Sequence, residues 1–91
     1  MAAKQQETQV AQDSQQRLHL DAVIGQQVLL SLGQPTGLLA VQVRRLWEDR
    51  YRVNVLVGGD VASTRVAHSY FVIADVGGKI LDARPKITKQ Y

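Results

Sequence analysis

The hydrophobic period of this 91-residue chain changes once, at a short turn, and that change limits the folds open to it. Before the turn, Leu20, Val23, Ile24, Val28 and Leu32 recur at steps of three and four, with Leu29 alongside. That spacing marks one face of an α-helix. Asp13, Ser14 and Asp21 are each suited to cap its start, and Gly33 and Pro35 supply a C-cap and a stop. Gly25 inside the pattern costs about 1 kcal/mol relative to alanine and suggests a close approach of the helix to a sheet. Beyond Gly37 the apolar residues recur every second position: Leu39, Val41 and Val43, then Tyr51, Val53, Val55 and Val57. Such alternation reads as two half-buried strands.

The register of this first hairpin follows from two requirements. Apolar sets on antiparallel partners must share a face, and like charges should not stand directly opposite. A three-residue loop, Glu48-Asp49-Arg50, meets both. It predicts Trp47 opposite Tyr51, Arg45 opposite Val53, Val43 opposite Val55 and Val41 opposite Val57, and it keeps Arg44 away from Arg52. In that register Trp47 is buried on the core face beside Tyr51.

A longer loop spans residues 58–64. A third strand, about residues 65–75, leads through Val76-Gly77-Gly78 into a short fourth strand, residues 79–83. The glycines supply the positive φ that a tight loop requires. This hairpin is expected to pair Asp75 with Lys79, Ile73 with Leu81, and Phe71 with Ala83. Apolar residues on both faces of the third strand suggest a central place. The fold class read from this order is α+β: one N-terminal helix packed on a three- to four-stranded antiparallel sheet, α-β-β-β-β, in two layers.

Residues 1–16 contain six glutamines and, apart from Met1, one large aliphatic residue, Val10. Such a segment buries too little to offset its ordering entropy, so it is expected to be a flexible tail. The single domain is then residues 17–87, with a C-terminal tail at 88–91. About 70 residues make a marginal core, which a partner covering further apolar surface would strengthen. Apolar runs of five residues or so are far short of the roughly 20 that span a membrane. Cysteine is absent, which excludes disulfides and thiolate zinc sites and agrees with a cytoplasmic location.

Catalytic chemistry finds little support in the residues. His19 and His68 have no metal-ligand spacing, and Ser69 faces away from its neighbour His68 on a strand. No nucleophile–base pair, metal or cofactor is expected, and the chain reads as a non-enzyme. The glycine-containing loop at 58–64 opens onto a strand, with Arg65 as the nearest cation, so it lacks the helix and lysine of a phosphate cradle. A plain connection suffices for it.

Positive charge is concentrated in two places: +2 over residues 44–65 and +3 over residues 79–91, in a chain of net charge +3. An ordinary solvated surface accounts for that much charge, and so does attraction to phosphate. The first functional reading is an assembly module, a homodimer or a partner-binding domain. It would use the sheet face away from the helix, with Gln42, Leu46, Leu56, Val72 and Ile80 on it, or a sheet edge. The second is nucleic-acid binding on that same face, with Arg44, Arg52, Lys86 and Lys89 on phosphates and Tyr70 stacking on a base. One aromatic is few for this purpose, because sheets that read single strands present two or three. A third is a small-ligand binder or enzyme built around His68.

Overall fold

The computed structural model describes the backbone of residues 2–91 and the side chains of residues 16–60 and 62–91. The elements are α1 (Ala2–Leu32), β1 (Leu38–Trp47), β2 (Arg50–Val57), β3 (Arg65–Ala74) and β4 (Ile80–Arg84), with a 3-10 turn at Val61–Ser63. The strands form one antiparallel sheet in the order β1-β2-β3-β4, and α1 lies on one of its faces. This is the two-layer α+β domain that the change of period predicts. Residues 2–16, read from the sequence as part of a flexible tail, form the first turns of α1 by their backbone, and the side chains of residues 1–15 lie outside those described.

Ile24, Val28 and Leu32 form one stripe of α1 and meet Tyr51, Val53 and Val55 of β2 and Tyr70, Val72 and Ala74 of β3. Seven of these residues are fully buried, and each of the six larger aliphatic side chains among them stabilises the fold by roughly 1.5–3 kcal/mol. Gly25 lets the helix approach β1: a Cβ there would sit 3.4 Å from Val41 Cγ1 and Val43 Cγ2. On the other flank, the Gln27 side chain reaches the β3–β4 turn. Its amide nitrogen donates to Gly78 O, and its oxygen accepts from Ile80 N at 3.1 Å. Helix and hairpin are thereby joined by two hydrogen bonds as well as by apolar contact.

The first hairpin departs from its expected register by two residues. Val41 pairs with Val55, Val43 with Val53, Arg44 with Arg52, and Arg45 with Tyr51. Arginines thus stand face to face, at a cost of about 0.2–1 kcal/mol. The expected register would have set Arg45 against Val53 in mid-core, where an unpaired charge costs several kcal/mol. The smaller penalty prevails. Arg45 instead reaches the end of the sheet, where its Nε donates to Glu48 O at 2.7 Å and helps close the turn. Glu48 has φ +46°, the left-handed conformation of this tight connection.

A bulge at Leu46 then reverses the facing of the last residue of β1. Arg45 pairs with Tyr51, but Trp47 pairs with Arg50. Trp47 therefore leaves the core face and is 54% exposed, contrary to the burial expected of it.

The second hairpin has the expected loop. Asp75 N donates to Lys79 O at 2.9 Å, and Asp75 Oδ1 accepts from Gly77 N and Lys79 N. A one-residue irregularity follows at Leu81, so Ile73 faces Asp82, Val72 faces Ala83, and Phe71 faces Arg84. The faces of β3 are also the reverse of the expected ones. Tyr70 and Val72 point at the helix, opposite Val53 and Tyr51, and Ile80 packs against the same core. Val72, Ile80 and Tyr70 are therefore not on the outer face. Buried Val53 and Tyr51 require apolar partners across the strand, and Tyr70 and Val72 supply them.

Residues 88–91, expected as a tail, return to the helix. Gln90 N and Tyr91 N both donate to Leu32 O, at 2.8 and 3.2 Å, satisfying a carbonyl in the last turn of α1.

Candidate functional site

The face of the sheet turned away from α1 carries no other secondary-structure element among the described residues. Strand alternation places Arg52, Asn54 and Leu56 of β2 there, since Tyr51, Val53, Val55 and Val57 point inward. The register extends the face sideways. Arg44, Arg52, Phe71 and Arg84 form one row that crosses all four strands. Gln42, Asn54 and Ser69 form the next row, where Ser69 Oγ donates to Asn54 Oδ1 at 2.6 Å. Beyond the arginine row, Ile73 lies between Arg50 and Asp82.

Two aromatic rings meet on this face. Trp47, turned outward by the Leu46 bulge, lies 5.9 Å from Phe71 between centroids, at 46°. Phe71 is directly opposite Arg52 and Arg84. The arrangement is two offset rings beside a line of guanidinium groups.

The arginines differ in how they are held. Arg50 Nη1 pairs with Asp49 and lies 3.9 Å from Glu48 Oε2, so the turn largely neutralises it. Arg45 is tied to its own turn, and Arg84 lies 3.4 Å from Asp82. Among the described residues, Arg44 and Arg52 have no carboxylate within salt-bridge distance.

Of the residues singled out from the sequence, Gln42, Arg44, Arg52 and Leu56 come together on the outer face, and Leu46 occupies the exposed bulge at its end. Val72, Ile80 and Tyr70 do not join them. Tyr70 is buried, and its phenol is pushed above its ordinary pKa by that burial and by the charge of Tyr91. Lys86 lines a groove between α1 and β4, and exposed Lys89 belongs to the segment that returns to the helix. Neither lysine extends the arginine row.

His68 is on the helix-facing side of β3, opposite Val55, with its ring stacked on Tyr70 and its Nε2 2.8 Å from Tyr91 Oη. That geometry braces the returning chain. No acid is paired with the imidazole among the described residues. Asp60 is engaged in its own loop, where its Oδ1 accepts from Ser63 N at 2.9 Å and Ser63 Oγ at 3.0 Å. A carboxylate thus fills the place that an anion would take in a phosphate loop. The described residues contain no group of three or more potential metal ligands, and no described helix is long and apolar enough to cross a membrane.

Sequence reasoning missed Trp47, Phe71 and Arg84 as members of the face. The signal for Trp47 was indirect: Arg45 cannot face mid-core, so the hairpin had to shift and a bulge had to absorb the difference. No family model, curated protein or solved structure matches the chain.

Proposed function

We propose that the outer sheet face binds single-stranded nucleic acid, with Arg44, Arg52 and Arg84 on phosphates and Phe71 and Trp47 stacking against bases. The observation that carries this reading is the row of arginines flanking Phe71, with the Trp47 ring beside it. Stacking is indifferent to sequence because every base has a π-face, and guanidinium groups follow the phosphate backbone. Two aromatics in contact meet the requirement that one tyrosine did not. The like-charged pair Arg44 and Arg52 is a local cost that an anionic ligand would turn into a gain.

The same row weighs against self-association through this face. A two-fold stack would bring six arginines into one interface with Asp82 as the row's neighbouring carboxylate in each copy. Unpaired buried charges cost several kcal/mol each. Such a stack would bury exposed Trp47 and Val66 together with half-covered Leu56, Phe71 and Ile73, but only by burying the arginine row with them.

The test is a fluorescence titration with a short oligothymidylate at low and moderate salt. Trp47 is the sole tryptophan, so its emission reports the face directly. The reading expects saturable, salt-sensitive quenching. Phe71→Ala should weaken binding by roughly tenfold or more, since a base–aromatic stack is worth about 1–3 kcal/mol. Emission that does not respond at low salt overturns it. A salt-independent dimer dispersed by Leu56→Glu would point instead to assembly through the face.

A further inference from the structure

The two edges of the sheet are unlike. β4 is five residues long, and Pro85, which has no N–H to offer, follows it at once. β1 runs for ten residues without proline or lysine, and among the described residues no strand pairs with its outer side. A long free edge is a row of unpaired N–H and C=O groups, which sheets ordinarily shorten, charge or cover. Here the register shifts near Leu39 and Leu46 leave residues 40–45 as an unbroken ladder.

The core is also open along this edge. Val41 and Val43 pack against the core yet remain half-exposed, whereas Val53 and Val55 on the next strand are 0% exposed. The helix faces this edge with Gly25, which has no side chain to cover the two valines; a Cβ there would lie 3.4 Å from each.

We infer that β1 pairs antiparallel with β1 of a second copy, with Gln42 on the two-fold axis, to form a continuous eight-stranded sheet. The register follows from the residues. Centring on Gln42 sets Val41 opposite Val43 twice on the inner face, and Ala40 opposite Arg44 twice on the outer face. Centring on Arg44 would set that arginine against itself. Centring on Val43 would press Arg45 against Val41 on the core side, and centring on Val41 would run the pairing into the irregularity at Leu39. Only the Gln42 register uses the unbroken stretch, joins apolar to apolar and keeps the arginines apart. It leaves the outer face uncovered and sets two arginine rows on one surface. The pairing stands whether or not that face binds nucleic acid.

The chain has no cysteine, so an introduced thiol is unique. Two residues paired across a two-fold axis have Cα atoms about 4.5–5.5 Å apart, within disulfide reach. Gln42→Cys should therefore form a covalent dimer under mild oxidation, and Asn54→Cys, on the same face but one strand in, should not. Sedimentation equilibrium, without nucleic acid, supplies the second measurement. The wild-type chain should be dimeric at roughly 100 micromolar, with Ala40→Arg weakening the dimer about tenfold and Ala40→Glu tightening it through the facing Arg44. Leu56→Glu should leave it intact. A monomeric wild type, equal cross-linking of the two cysteine variants, or a dimer indifferent to charge at residue 40 would each overturn the pairing.

Discussion

Trp47 and Phe71 hold their rings 5.9 Å apart on the face of the sheet opposite the helix, joined there by a bulge rather than by alternation. Trp47 is therefore a surface tryptophan with one aromatic neighbour among the described residues. Its emission in the free protein should lie near that of a solvated indole, and Phe71→Ala should move the maximum little. A maximum typical of a buried indole contradicts this placement.

Gln27 should be the polar side chain that matters most to stability. It is half-buried and bonds both Gly78 O and Ile80 N. Gln27→Leu removes both bonds and leaves two backbone groups without their partner, so urea denaturation should register a loss of roughly 1–3 kcal/mol. Gln27→Glu keeps an acceptor for Ile80 N and loses the donor to Gly78 O, and it should also destabilise. A loss within error for both variants would mean that water replaces the side chain freely.

Two glycines should respond oppositely to alanine. Gly78 has φ +89°, and a Cβ there would lie 3.0 Å from Val23 Cγ1, so Gly78→Ala should cost about 1–3 kcal/mol. Gly59 has nothing among the described residues within 4 Å of the same position, and Gly59→Ala should be neutral or stabilise by up to about 1 kcal/mol. Thermal midpoints of the two variants separate these outcomes. Equal shifts would refute the turn geometry.

Asp21 gives stability a pH dependence of known sign. Burial disfavours its charged form and raises its pKa above the ordinary 3.8. In a raised acid the unfolded chain ionises first. The contribution is therefore undiminished below the unfolded pKa, falls as pH rises through the interval up to the folded pKa, and is a constant penalty above it. Asp21→Asn should raise the thermal midpoint at pH 7, with the gain vanishing near pH 3. A midpoint lowered at pH 7 would show that the carboxylate is stabilised by a partner.

The element order was legible because periods of 3.6 and 2 survive in the apolar residues from Leu20 to Val57, and the Gly33–Pro35 and Gly77-Gly78 punctuation is local. Which face each residue occupies was less so. Alternation tells which residues share a face but not which face meets the helix, and one bulge inverts everything beyond it. Leu46 turned Trp47 outward, and Leu81 moved Ile73 from Leu81 to Asp82. Arg44 and Arg52 were legible as cations, while their adjacency was set aside on a penalty of a few tenths of a kcal/mol to 1 kcal/mol. The larger cost of placing Arg45 in mid-core decided the register. Phe71 entered the site only when the neighbouring Tyr70 was drawn into the core.

The salt dependence of oligonucleotide affinity addresses the arginine row most directly. Three phosphate contacts on a single strand give a slope of log Kobs against log salt near −2, and one contact gives about −0.7. The wild-type chain should show the steeper slope, and Arg44→Ala/Arg52→Ala the shallower one with its fold unchanged. Identical slopes, or no binding by the wild-type chain at low salt, would contradict nucleic-acid recognition by this face.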